Sequence, residues 1–353
     1  MRKYLAIFLF LIPVSLFFAQ VKYFDLTKVL PKGYVTDGSV DYTEVLQKAI
    51  DQSGDITFPN FPVLINDNGL KLKNGCSYTF QANSKLILKP SLKSGYNMLD
   101  CNNKENITIT NAVLVGDKNT HLGKQGEWGF GISVRGSKNI TINKAKIYDC
   151  YGDGIYIGRL NNKISDNITI TNTLVSNSRR NGLSITSGTN IKVYHSKFMN
   201  SSGKGPSSGI DIEPNNAQDE LKNITISDVS TANNENWGLL LNLVNLRKDN
   251  SINKDISITI TNFSDNRSKY GMSMWLNRKN NYSRNISGSI TLNNVSLLNN
   301  TEEPVKYYGT NDNAINVSVN QLTVDSKSYR KLQNTINSYQ NDQRIKFKQL
   351  KTK

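Results

Sequence analysis

Six short segments in the middle of this 353-residue chain repeat one pattern: Gly131-Ile132-Ser133-Val134, Gly154-Ile155-Tyr156-Ile157, Gly182-Leu183-Ser184-Ile185, Gly209-Ile210-Asp211-Ile212, Gly238-Leu239-Leu240-Leu241 and Gly271-Met272-Ser273-Met274. Their glycines stand 23, 28, 27, 29 and 33 residues apart, a period that belongs to stacked coils rather than to a globular α/β domain. Each run alternates, so one set of side chains packs inside the stack while the other stands in an outward column. The chemistry of such a chain is expected in that column.

A second ladder keeps step with the first. Asn106-Ile-Thr-Ile, Asn139-Ile-Thr-Ile, Asn167-Ile-Thr-Ile, Asn190-Ile-Lys-Val and Asn223-Ile-Thr-Ile each continue from Asn into an alternating β-branched strand. Parallel strands stacked about 4.8 Å apart, coil upon coil, accommodate both ladders. Each Asn is expected at a tight bend in the left-handed region, hydrogen-bonded to its neighbours. The N-x-T triplets also match a glycosylation sequon, but their regular placement favours a structural role.

The flanks fit a solenoid. Residues 1–19 combine Arg2 and Lys3, an apolar run and Ala19 before Gln20, a pattern expected of a secretory signal cleaved between Ala19 and Gln20 and too short to favour a membrane span. The chain is therefore expected to be secreted or periplasmic. Residues 20–55 are assigned to an N-terminal cap. Within it Asp41-Tyr42-Thr43-Glu44 reads as a capping box, followed by the apolar stripe Val45, Leu46, Ala49 and Ile50 of a short helix that covers the open end of the stack. Coils are assigned to 56–325, and the basic segment 326–353 is either a cap or a loose tail.

Composition narrows the partners. Cys76, Cys101 and Cys150 have no metal-ligand spacing and suit interior packing, with one disulfide open in an oxidising compartment. The formal charge of +15 invites a nucleic-acid partner. Much of that charge is peripheral, since residues 327–353 carry eight Lys/Arg against Asp342, and no aromatic-basic binding motif accompanies it. Nucleic acid is not expected.

The run Val35-Thr-Asp-Gly-Ser-Val-Asp-Tyr-Thr-Glu-Val-Leu-Gln-Lys-Ala-Ile50, followed by Ile56-Thr-Phe-Pro59, resembles the N-terminal cap of the pectin-lyase-like right-handed parallel β-helix superfamily. The ladders resemble its coils. Gly126-Glu-Trp-Gly129, Gly152-Asp-Gly-Ile-Tyr-Ile-Gly158 and Gly209-Ile-Asp-Ile-Glu-Pro214 are similar to runs in bacterial and phage β-helix proteins that act on polysaccharides. The resemblance implies an all-β, single-stranded right-handed parallel β-helix and a polysaccharide partner. It does not fix a reaction, because one fold hosts hydrolases, lyases, epimerases and adhesins. The polygalacturonase runs Asn-Thr-Asp, Asp-Asp and Gly-His-Gly are absent from the sequence, as is the Asp-Pro-His run of alginate epimerases. Arg344-Ile345-Lys346 matches a further polygalacturonase motif by letters alone and is placed beyond the coils.

The outward column reads Ser133 and Arg135, then Tyr156 with Asp153 before its glycine, Ser184 and Thr186, Asp211 and Glu213, Asn242, and Trp275. Asp211 and Glu213, two apart on a strand, share a face roughly 6.5 to 7 Å apart at the backbone. That separation suits the acid and base of inverting glycoside hydrolysis, where about 6.5 to 9.5 Å leaves room for a water. Asp153 is the third catalytic candidate. A solvated strand edge is the plain alternative.

Arg135, Arg179 and Arg180 suit recognition of carboxylate or sulfate, hence an acidic polysaccharide. Tyr156 or Arg180 would serve as base in a β-eliminating lyase, and the same carboxylates would suit Ca²⁺. No other cofactor is called for. His121, Glu127 and Trp128 lie in the loop before the Arg135 coil and would close one end of a groove, Trp128 as a sugar-stacking platform or as a loop anchor. Asn242 and Trp275 extend the groove. Three functions follow in order: a secreted glycoside hydrolase, a polysaccharide lyase, and a non-catalytic polysaccharide-binding or surface protein.

Overall fold

The computed structural model describes residues 23–247, 254–276, 286–308, 314–337 and 344–353. The predicted signal segment lies outside these residues. The chain winds as a β-solenoid of about ten turns. One face is a nine-stranded sheet running from Leu70–Lys71 through Gly95–Asp100, Trp128–Arg135, Ile155–Gly158, Leu183–Ile185, Ile210–Ile212, Trp237–Asn242 and Tyr270–Trp275 to Glu303–Tyr308. Every pairing in it is parallel and joins one coil to the next.

The glycine ladder is reproduced residue for residue. Ile132 pairs with Ile155, then Leu183, Ile210, Leu239, Met272 and Val305 in line, and all seven side chains are buried. None of the six ladder glycines has a positive φ; they are glycines for room. A Cβ at Gly154 would stand 2.1 Å from Val175 Cγ1, and one at Gly238 would stand 2.3 Å from Asp265 Oδ1.

The asparagine ladder does use the left-handed region. Asn106, Asn139, Asn167, Asn190 and Asn223 have φ between 54° and 58°, which Asn tolerates better than most residues. Their side chains link coil to coil: Asn139 Nδ2 donates to Asn106 Oδ1 at 2.8 Å, Asn167 Nδ2 to Asn139 Oδ1 at 2.8 Å, and Asn223 Nδ2 to Asn190 Oδ1 at 3.1 Å. The bend and the axial hydrogen bonds thus come from one residue type.

Helix α1 (Thr43–Gln52) caps the first coils, burying Leu46, Ala49 and Ile50 against the 3-10 turn Leu26–Val29. It starts differently from the expected capping box. Tyr42 is its N-cap residue and makes no side-chain cap bond, while Asp41 Oδ1 accepts from the amide and hydroxyl of Thr43 at 3.0 and 2.6 Å. The basic C-terminal segment is not a loose tail. Helix α2 (Tyr329–Asn337) packs against Glu303–Tyr308, and Ile345–Phe347 and Leu350–Thr352 pair in parallel with Val317–Val319 and Leu322–Val324. Coiling therefore continues past 325, and Arg344-Ile345-Lys346 leads into a final strand rather than lying outside the coils. Cys76, Cys101 and Cys150 are all buried and free.

Candidate active site

In the nine-stranded sheet the position after each inward ladder residue forms a straight column: Ser133, Tyr156, Ser184, Asp211, Leu240, Ser273, Lys306. The sequence predicts an open outward column, but most of this one is sealed. Ser133, Ser184 and Ser273 are wholly buried, and Asp211 is 1% exposed. The reason is local. Residues at the strand ends turn back over the column: Asn102 takes the Ser133 hydroxyl at 2.8 Å, and Asn181 reaches Ser184 Oγ at 3.0 Å.

Asp153 and Asn181 each stand directly before a ladder glycine, on adjacent coils. From there Asp153 accepts from Arg180 Nη1 at 3.0 Å, from the Asn181 amide at 3.0 Å and from Ser184 Oγ at 2.9 Å. Asn181 Nδ2 also donates to Asp211 Oδ2 at 3.0 Å, while Asn181 Oδ1 accepts the Ser208 amide at 2.9 Å. One chain of hydrogen bonds thus links Arg180, Asp153, Ser184, Asn181 and Asp211 across three coils. Asp211 Oδ1 is buried without a hydrogen-bond partner among the described residues. Glu213, on the next outward position, is only partly buried and accepts from Asn242 Nδ2 at 2.6 Å.

The electrostatics follow from a count of charges. Among the described residues Arg180 is the cation that interacts with Asp153, Asp211, Glu213 and Glu127 together, the last through Nε at 3.8 Å from Glu127 Oε2. Burial first, and then the charge of Glu213, push the Asp211 pKa well above the usual carboxylate range, with Arg180 opposing. Burial also raises Glu213, against the pull of Arg180 and Asn242. For Asp153 burial again pushes upward, but Arg180, Ser184 and the Asn181 amide all favour its charged form. The physical result is unequal carboxyls: burial raises both, but Arg180, Ser184 and the Asn181 amide oppose the rise at Asp153, while Asp211 retains a proton most readily.

Tyr156 stacks on Phe130 with ring centroids 4.7 Å apart, and its hydroxyl accepts from Thr186 Oγ1 at 3.2 Å and Asn215 Nδ2 at 3.1 Å. Burial raises its pKa, the reverse of what a base needs. Arg135 lies with its guanidinium 5.9 Å from the Tyr156 ring and Nε 3.3 Å from Asn102 Oδ1.

Two residues expected to bind substrate are engaged within the protein. His121 is stacked on Tyr151, centroids 3.4 Å apart, and its Nδ1 lies 2.7 Å from Asp117 Oδ2 with both side chains buried. Arg179 lies over the other partner of that stack, its guanidinium 4.2 Å from the Tyr151 ring, and donates to Gly126 O at 2.8 Å. Together they pin the loop that presents Glu127 and Trp128. Trp128 is 54% exposed, which fits a contact platform and not a loop anchor. Trp275 packs on Tyr308 at 4.2 Å, and Trp237 on Tyr270 at 6.3 Å.

Sequence reasoning missed Asn181 as the link between Asp153 and Asp211. The available signal was its place before Gly182, equivalent to that of Asp153 before Gly154. For the Ca²⁺ alternative, no group of three or more His, Cys, Asp or Glu side chains among the described residues is arranged to hold a metal ion. The carboxylates are bonded instead to Arg180, Asn181, Ser184 and Asn242.

Known proteins agree with this architecture. A family model described as right handed beta helix region matches residues 49–207. The chain is 34% identical over 140 residues to the uncharacterized protein YclG of Bacillus subtilis (strain 168), covering 35% of this chain and 24% of that protein. It spans about a quarter of the length of the curated relatives it matches. Among solved structures it is similar to the mannuronan C-5 epimerase AlgE4 A-module of Azotobacter vinelandii, with TM-score 0.58 and 12% identity over 93% of this chain and 96% of that one. It is also similar to an iota-carrageenase complexed to iota-carrageenan fragments, with TM-score 0.59 and 10% identity over 94% and 88%. The protein is a right-handed parallel β-helix protein, with a fold shared by polysaccharide-active enzymes.

Proposed function

We propose that the protein is an exported glycoside hydrolase that cleaves a polysaccharide with Asp211 as general acid and Glu213 as general base. The observation that carries this is the inequality of the two carboxyls. Asp211 is sealed from water beside a neighbouring charge and so holds a proton the more readily; Glu213, raised as well by burial, is partly exposed and faces Arg180, and is the better placed to carry the negative charge. Hydrolysis needs one group in each state. Glu213 would take a proton from the attacking water as its oxygen bonds to the anomeric carbon. Asp211 would give its proton to the departing glycosidic oxygen as the carbon–oxygen bond breaks. Because Asp211 Oδ1 is closed to solvent in this structure, substrate binding must open access to it. Asp153 and Asn181 are positioning residues: they fix Arg180 and Asp211 and need not touch the sugar.

Elimination is less well supported. Tyr156 is pushed away from deprotonation by burial, and Arg180 is held charged by Asp153, so neither proposed base is poised to accept a proton. A non-catalytic binder would need the exposed Trp128 but not a protonated Asp211.

The test is incubation of the protein with a panel of acidic and neutral polysaccharides, reading new reducing ends and ultraviolet absorbance of unsaturated products. New reducing ends without that absorbance, lost in Asp211→Asn, are expected. Absorbing products would replace hydrolysis by elimination, and saturable binding without cleavage would leave a binding protein.

A further inference from the structure

Three coils beyond Asp211 the same face changes sign. The register runs from Asp211 to Leu240, Ser273 and Lys306, roughly 14 Å along the axis at about 4.8 Å per coil. Lys306 Nζ lies 5.5 Å from the Tyr270 ring centroid and 5.8 Å from that of Tyr308, and Lys269 Nζ lies 5.5 Å from Tyr270. Trp237 extends this surface from Tyr270, and Trp275 from Tyr308. Among the described residues the carboxylate paired with Lys306 is Glu303, at 3.0 Å. Lys306 thus has one carboxylate partner and Lys269 meets the Tyr270 ring, whereas four carboxylates surround one guanidinium at the other cluster.

The side chains have the character of a recognition surface. Lys269, Tyr270, Trp275, Lys306 and Tyr308 are all partly exposed. Aromatic rings offer flat apolar faces to the C–H side of a sugar and hold lysine stems in place by cation–π contact. Two of the three arginines that the sequence suggested for an acidic substrate are engaged elsewhere, Arg179 with Gly126 and Tyr151 and Arg180 with Asp153.

We propose that Lys306 and Lys269, set among Tyr270, Tyr308 and Trp275, form a subsite for an anionic group, carboxylate or sulfate, on a sugar of the polymer lying along the helix axis. Its distance from the point of cleavage rests on the assignment of Asp211 and Glu213 above; the binding itself does not. A polymer read this way places its negative charge at the lysine end and keeps it away from the acidic cluster, where it would be repelled.

The experiment is affinity electrophoresis and calorimetry of the full chain with polygalacturonate, dextran sulfate and neutral dextran, with thermal melts to verify folding of each variant. The wild type is expected to bind at least one polyanion and to bind dextran more weakly; the preferred polyanion separates carboxylate from sulfate. Lys306→Gln with Lys269→Gln is expected to weaken polyanion binding on the order of tenfold and to flatten its salt dependence, while Lys306→Arg retains binding. Unchanged affinity in the double variant, or no polyanion binding by the wild type, overturns the subsite. Asp211→Asn run alongside separates the two ideas: lysine-dependent binding without any cleavage sinks the hydrolase and leaves the subsite, and cleavage with lysine-independent affinity does the reverse.

Discussion

Arg180 Nη1 lies 3.0 Å from Asp153 Oδ2, and this guanidinium opposes the burial that raises the carboxyls around it. With the guanidinium removed, Asp153 would be a buried charge without its cation. Breaking such a pair from one side costs about 3–5 kcal/mol. Arg180→Met is therefore expected to lower the urea midpoint substantially and to abolish cleavage. A midpoint within error of wild type would contradict the central place given to this pair.

Asp211→Asn and Glu213→Gln separate catalysis from folding. Each is expected to lower the hydrolysis rate by about 10²- to 10⁴-fold, the usual contribution of a positioned proton-transfer group. Neither should lower the melting temperature at pH 8, because both remove a carboxyl that the fold disfavours in its charged state. Parallel activity and melting measurements decide it; loss of both together would mark the pair as structural.

The pH profile of hydrolysis should be bell-shaped. Activity falls on the acid side as Glu213 takes a proton and on the alkaline side as Asp211 loses its own. Since the pair shares its titration, the two limbs belong to the pair rather than to either residue. Glu213→Gln should remove the acid limb from whatever activity survives, and persistence of that limb would reassign the base.

Asp265 gives a stability prediction away from the site. It is buried, bonded to Thr231, Ser268 and Asn300, and burial raises its pKa from 3.8 to about 6. The folded chain thus binds this proton more tightly than the unfolded one. Above pH 6 the buried charge costs about 3 kcal/mol, recovered as pH falls from 6 toward 4. Asp265→Asn should flatten that part of the melting curve's pH dependence. An unchanged slope would show that Asp265 is not its source.

The two ladders predict opposite responses to glycine. Gly238→Ala places a Cβ against Asp265 Oδ1 and Gly271 O and should cost about 1–3 kcal/mol. Asn167→Gly and Asn167→Ala both lose the side-chain bond to Asn139, but Gly keeps the left-handed bend without strain and should cost less than Ala. Denaturant titration of the three variants orders them, and a Gly238→Ala protein as stable as wild type would show that the coil has room to spare.

Much of the fold was legible because a solenoid repeats its local rules. Ile132, Ile155, Leu183 and Ile210 occupy the same inward position in successive coils, so period and alternation alone placed them. Asp211 and Glu213 were legible as a pair for the same reason. The packing of His121 and Arg179 was not legible because it depends on Tyr151 and on a loop backbone that no periodic signal marks. Segment 345–352 was misjudged because a single final coil has no following repeat to reveal it.

By itself the sequence determined the coil period, the inward and outward faces and the left-handed asparagine bends, all of them consequences of spacing and local backbone preference. Tertiary structure alone decided that most of the outward column is sealed, that Asn181 joins Asp153 to Asp211, and that one guanidinium faces four carboxylates. Those depend on which side chains from neighbouring coils fold back over the sheet, and burial and charge balance exist only once the coils are stacked.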